Sequence, residues 1–221
     1  MPERIRTVLF DLDGTFADTA PDLAAALNRL LADEHRTPLP FQTIRPVASH
    51  GSVGLLRLGF DIGPEDATFA ALKSRLLIYY AEDLCRDTRV FPDIPTVLSG
   101  LRARSIRWGI VTNKPAFLTD PLIAKLGLTY APTCVVSGDT TQNRKPHPEP
   151  MLHACAVANA RPSECLYVGD AERDIQAGRQ ASMQTLVALY GYIGENETPA
   201  QWGADGMVKT PLEILDWIDG H

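Results

Sequence analysis

Short runs of apolar, β-branched residues recur along the chain, and each ends in small or acidic residues. They are Thr7-Val-Leu-Phe-Asp11, Trp108-Gly-Ile-Val-Thr112, Cys134-Val-Val-Ser137, Leu166-Tyr-Val-Gly-Asp170 and Thr185-Leu-Val-Ala-Leu189. Near-continuous apolar strands of this kind suit a parallel sheet covered on both faces. Between and after them lie stretches with helical spacing: 93–104, 116–126, 149–159, 173–181 and 211–218. Pro121 is expected to kink or delimit the second of these. Strand and helix in alternation predict a doubly wound α/β domain, a Rossmann-like core.

One interval breaks the alternation. From residue 19 to 88 the pattern reads as helices alone, beginning with Thr19-Ala-Pro-Asp22, where Thr19 is the expected N-cap and the proline sits early. Gly51 to Leu58 and Asp66 to Leu84 are the next helical stretches. The expected organisation is therefore an α/β core, residues 1–18 and 89–221, carrying an inserted all-helical cap domain, residues 19–88.

Composition narrows the class. The 221 residues are 45% hydrophobic and 22% charged, with 21 Lys+Arg against 27 Asp+Glu for a net charge of −6. That is the profile of a soluble globular protein. No apolar run is long enough to span a bilayer, and the first residues do not read as a signal peptide. The four cysteines, 85, 134, 155 and 165, lack zinc or disulfide spacing, so reduced, buried thiols and a cytoplasmic location are expected. An acidic balance without a Lys/Arg block argues against a nucleic-acid partner.

The reactive residues fall at strand ends, where open parallel sheets bind ligands. The first strand ends in Asp11-Leu-Asp13-Gly-Thr15, the second in Thr112-Asn113 before Lys114-Pro115. Lys145 follows the third strand in a loop stiffened by Pro146, Pro148 and Pro150, and the fourth ends in Gly169-Asp170, four residues before Asp174. Each has a plain reading alone: solvated acids, a capping threonine, a surface lysine, acids at a helix N-terminus. Together they point elsewhere. Asp11, Asp13, Asp170 and Asp174 at adjacent strand ends would repel one another without a cation, and hard oxygen donors without clustered Cys or His suit Mg²⁺. A cation, a lysine and a threonine/backbone cradle make a site for a phosphoryl group.

The ordered set DxDGT, TN, KP and GDxxxD, with a helical insert after the first motif, resembles the haloacid dehalogenase superfamily of phosphatases over essentially the whole chain. The stretch Asp11 to Asp22 is similar to its phosphoglycolate phosphatase branch. Ser49-His-Gly51, Arg144-Lys-Pro-His-Pro148, Ala188 to Ile193 and Trp202 to Gly206 resemble bacterial N-acetylmuramic acid 6-phosphate phosphatases.

The resemblance implies a phosphomonoesterase acting on a small phosphorylated metabolite, with Asp11 as nucleophile and Asp13 as general acid and then base. Thr112 and the Asn113 backbone would hold phosphoryl oxygens, and Lys145 would neutralise charge. Mg²⁺ would be held by Asp11, the Asp13 carbonyl, Asp170 and, directly or through water, Asp174. N-acetylmuramic acid 6-phosphate is the preferred substrate, 2-phosphoglycolate the alternative, and a phosphosugar mutase shares all four motifs. By position in the insert, Arg45, His50, Ser52 and Arg57 are candidates for leaving-group contacts, and Ser49-His-Gly51 is expected to break the helices there. His35, His147, His153, His221, Trp108, Trp202, Trp217, Tyr190 and Tyr192 are assigned to packing or surface, without chemistry.

Overall fold

The computed structural model describes residues 4–220, so His221 lies outside the described residues. Six strands form one sheet: β1 (Thr7–Phe10), β4 (Arg107–Val111), β5 (Val135–Val136), β6 (Cys165–Gly169), β7 (Gln184–Ala188) and β8 (Gly206–Val208). Their order is β5-β4-β1-β6-β7-β8, and every pairing is parallel. Five are the strands expected from the apolar runs. The sixth, β8, is three residues long, with Val208 buried and Met207 47% exposed, and so has no apolar run to betray it.

Two further strands, β2 (Ala17–Asp18) and β3 (Arg89–Val90), pair antiparallel away from the main sheet. Between them run four helices: α1 (Ala20–Asp33), α2 (Phe41–Ile44), α3 (Gly51–Phe60) and α4 (Phe69–Glu82). Thus the helical segment leaves and rejoins the sheet through a two-stranded neck. Sequence pattern alone did not reveal the neck, because two-residue strands carry no periodicity.

Helix limits follow local chemistry. α4 starts three residues later than expected because the Asp66 carboxylate accepts from the Thr68 N–H (2.8 Å) and hydroxyl (2.6 Å), which holds a turn ahead of the helix. α3 runs on to Phe60 and stops at Asp61, whose φ of 59° is left-handed. Ahead of it, residues 45–50 form a 3-10 turn that ends at Gly51, whose φ of 59° separates it from α3, so the expected break at Ser49-His-Gly51 is there. Thr19 precedes α1, yet its side chain does not cap that helix; the hydroxyl is bound elsewhere.

After β3 the remaining helices alternate with strands: α5 (Ile94–Ala103), α6 (Ala116–Lys125), α7 (Glu149–Ala158), α8 (Glu172–Gln180) and α9 (Glu213–Gly220). Pro121 sits within α6 without ending it. The carbonyl it deprives belongs to Phe117, an exposed residue that water can serve.

Period-two alternation splits β1 between two cores. Val8 and Phe10 join a large cluster that also holds Leu27, Leu30, Ile44 and Leu55 of the inserted helices. Leu9 faces the other way, into a smaller cluster with Val111, Met151 and Tyr167. The insert and the sheet thus share one continuous apolar interior. Truncating Leu27 or Leu30 to alanine costs about 2–5 kcal/mol. Cys134, Cys155 and Cys165 are buried free thiols, while Cys85 is only half-buried.

Candidate active site

The carboxyl ends of β1, β4 and β6 meet where the chain, having built one side of the sheet, crosses to build the other. Asp11 leaves β1 with its N–H donated to the Val168 carbonyl (2.9 Å), so its buried side chain is set by the sheet itself. The following turn passes beneath Asp170. Gly14 has φ +86°, and a Cβ there would lie 2.1 Å from Asp170 Oδ2, so only glycine fits.

Lys145 is the centre of charge. Fully buried, its Nζ lies 2.8 Å from Asp11 Oδ1 and 2.7 Å from Asp174 Oδ1. It also donates to the Val111 carbonyl (2.9 Å) and the Tyr167 hydroxyl (2.8 Å). Asn113 holds the lysine's loop in place: its Nδ2 donates to the Lys145 carbonyl (3.0 Å), and the Lys145 N–H donates to its Oδ1 (3.1 Å). Thr112, buried beside it, accepts the Lys114 N–H (3.1 Å) on its hydroxyl instead of capping α6.

Asp170 accepts from the Thr15 hydroxyl (3.1 Å), the Ser49 hydroxyl (2.6 Å) and the Tyr192 N–H (2.9 Å). Asp174 accepts the Ala171 N–H (3.0 Å), so it also serves the N-terminus of α8. Burial raises the Asp11 carboxyl to about 6 from 3.8, with Lys145 opposing and Asp174 adding to the rise. Burial, then the charges of Asp11 and Asp174, raises Asp170 to about 7.

The expected cluster of four acids is a cluster of three. Asp11, Asp170 and Asp174 each offer an oxygen within 4.8 Å of the others. Asp13 stands apart because a separate cation holds it: its Oδ1 accepts from Lys114 Nζ (2.8 Å) and from the Thr19 hydroxyl (2.5 Å). Asp13 and Tyr80, whose ring lies 4.5 Å from Nζ, outweigh burial and raise the Lys114 pKa. The triad fits a hard divalent cation. Its donors are all oxygen, and its three buried carboxylates, within 4.8 Å of one another, have Lys145 as the one lysine paired among them.

Above the carboxylates opens a cavity of about 740 Å³. Asp11, Asp13, Thr112, Asn113 and Lys114 form one wall; His50, Ser52, Arg57 and Lys73 of the inserted segment belong to the other. His50, Ser52 and Arg57, three of the four candidates in the insert, thus line the cavity. Arg45 is not. Its guanidinium lies over the Tyr192 ring (4.8 Å), donates to the Gly191 carbonyl (3.3 Å) and pairs with Asp18 (3.8 Å), bracing the neck rather than lining the cavity.

Sequence reasoning missed Lys114, Ser49, Thr15, Arg173, Lys73 and the role of Tyr192. Lys114 directly follows Thr112-Asn113, and Arg173 lies between the two predicted acids, so adjacency to a motif was the available signal. Ser49 reaches Asp170 across 121 residues and gave no such signal. Arg173 fixes it from behind by donating to the Ser49 carbonyl (2.6 Å).

The haloacid dehalogenase-like hydrolase family model matches residues 8–188. A Pseudomonas putida protein named N-acetylmuramic acid 6-phosphate phosphatase is 38% identical, the alignment covering 98% of this chain and 97% of that one. A Xylella fastidiosa protein named phosphoglycolate phosphatase is 40% identical over 93% of this chain and 90% of that one. Among solved structures, that of a predicted phosphoglycolate phosphatase from Haemophilus somnus superposes with a TM-score of 0.85 at 27% identity, covering 97% of this chain and 98% of that one. This chain belongs to the haloacid dehalogenase-like hydrolases.

Proposed function

We propose that this haloacid dehalogenase-like hydrolase removes phosphate from N-acetylmuramic acid 6-phosphate in the cytoplasm, through an aspartyl-phosphate on Asp11 and with Mg²⁺ held by Asp11, Asp170 and Asp174. The observation that carries the substrate is the cavity. At about 740 Å³ it has room for an amino sugar with its side groups, and a two-carbon leaving group would fill a small part of it.

In the first step an Asp11 carboxylate oxygen attacks phosphorus, and the bond from phosphorus to the sugar oxygen breaks. Asp13 gives its proton to that oxygen as it leaves. In the second step Asp13 takes a proton from water, the water oxygen attacks phosphorus, and the Asp11–phosphorus bond breaks. Inorganic phosphate is released and both carboxyls return to their starting states. Lys145 neutralises the charge that Asp11 brings to the phosphoryl group, while Thr112 and the Asn113 backbone hold its oxygens. The cation, once bound by the triad and the Asp13 carbonyl, supplies further charge neutralisation on those oxygens.

Residues 19–88 act as a lid that closes over the sugar, excludes water and presents His50, Ser52 and Arg57 to it. A second reading, 2-phosphoglycolate hydrolysis, is favoured by the name of the 40%-identical Xylella relative.

Phosphate release from each compound, with Mg²⁺ or with EDTA, tests the choice. The sugar phosphate is expected to be hydrolysed with the higher kcat/KM, and Asp11→Asn to lower the rate by about 10⁴- to 10⁶-fold. Faster release from 2-phosphoglycolate would overturn the substrate. An isomerised sugar phosphate without phosphate release would make the protein a mutase.

A further inference from the structure

We infer that Arg57 and Lys73 form an anion subsite on the lid wall of the cavity, which receives a carboxylate carried by the leaving group. This rests on the phosphatase reading above and adds a second recognition point to it.

The cavity's cations fall into two sets. Lys114 is bound to Asp13 (2.8 Å), Arg173 to the Ser49 carbonyl (2.6 Å) and Arg144 to the Gly138 carbonyl (2.7 Å). Lys145, beneath the floor, is held between Asp11 and Asp174. Arg57 on α3 and Lys73 on α4 line the opposite wall, and among the described residues neither side chain has an ion pair or hydrogen bond.

Nor does the inserted segment contribute an acid to the lining; the lining acids, Asp11 and Asp13, are on the core wall. In a chain with a net charge of −6, two unpaired cations facing one cavity are a local departure from the average. They are surplus to the phosphoryl group, whose charge Lys145 beside Asp11 meets on the core side. They match a second negative group on the same substrate.

The surroundings strengthen such a pairing. Val53, Leu58 and Leu77 line the same wall, so a carboxylate docked there loses part of its water. Attraction between unit charges rises as the effective dielectric falls from that of bulk water. An arginine also meets a carboxylate with two parallel N–H donors, while a lysine supplies a point charge. The pair thus discriminates carboxylate-bearing phosphomonoesters from neutral ones of the same size.

The test is a preference ratio, read within each protein. N-acetylmuramic acid 6-phosphate and N-acetylglucosamine 6-phosphate differ by the lactyl ether and its carboxylate; 2-phosphoglycolate and ethyl phosphate form a second such pair. Wild type is expected to prefer the charged sugar, and Arg57→Met and Lys73→Met each to cut that kcat/KM ratio about tenfold, chiefly through KM. A ratio unchanged in both variants would overturn the subsite and leave the sugar reading standing. A wild-type sugar ratio of one would overturn the sugar reading. In that case a fall confined to the 2-phosphoglycolate pair would uphold the subsite, and no fall there would remove it too.

Discussion

The two walls of the cavity are built on opposite principles. On the core wall Asp11 and Asp13, and behind it Asp170 and Asp174, all have named partners, three of the four fully or almost fully buried. On the lid wall the side chains of Arg57 and Lys73 have none among the described residues. A site that transfers phosphate must have its charges fixed before substrate arrives, because reorienting them during reaction costs rate. A surface that selects a leaving group must keep its charges uncommitted until the matching group appears. On the proposed reading, reaction and selection are separated in space, one on strand ends and the other on inserted helices.

Lys145 gives the strongest way to break this contrast. Lys145→Met leaves Asp11 and Asp174 buried without their cation, and is expected to cost about 3–5 kcal/mol of stability in the metal-free protein. Activity should fall by about 10²- to 10³-fold even where the protein is folded. Chemical denaturation and steady-state assays at saturating Mg²⁺ separate the two effects. A variant that stayed stable and active would mean the core wall is not held by this lysine.

Ser49 tests whether the walls are independent. It lies on the inserted segment yet donates to Asp170, a member of the acidic triad. Ser49→Ala is expected to weaken Mg²⁺ binding about tenfold, as loss of a hydrogen bond to a metal ligand commonly does, and calorimetric titration reads it directly. Unchanged affinity would show that the lid touches the acids without orienting them.

The smallest effect concerns pH. Asp11 and Asp170 are raised to about 6 and about 7 from 3.8 by burial. Between about pH 4 and 7 the metal-free folded chain therefore binds more protons than the unfolded chain, and stability falls as pH rises through that window. Bound Mg²⁺ favours the ionised carboxylates and offsets the loss. The gain in Tm on adding Mg²⁺ should thus be larger at pH 8 than at pH 5, by roughly 2–4 °C for each 1 kcal/mol of difference. Thermal melts at the two pH values check it; an equal gain would mean the carboxylates are already ionised without metal.

What the sequence made legible divides along the same line. Asp11, Thr112 and Asp170 follow the ends of apolar strands, where a short pattern and one rule about open sheets locate them, and Lys145 lies in the proline-rich loop after β5. The strands β2, β3 and β8 were hidden because two or three residues carry no period. Thr19 was misread for a physical reason: its side chain suits a helix cap, but Asp13 offered a charged acceptor at 2.5 Å. Arg45 was placed in the cavity by its nearness in sequence to His50. Its side chain is instead held by Asp18 and Tyr192, which no local pattern links to it. Long-range partners of this kind belong to the tertiary fold alone.

The neck of β2 and β3 has a consequence for inheritance. Because the two strands lie side by side, the chain leaves and re-enters the core at points about 5 Å apart. Any segment whose ends meet at that spacing can be exchanged there without rethreading the sheet. Descent can therefore graft a new selector onto an old reaction centre in one recombination event, provided the incoming segment supplies donors to Asp170 and Asp13 in place of Ser49 and Thr19.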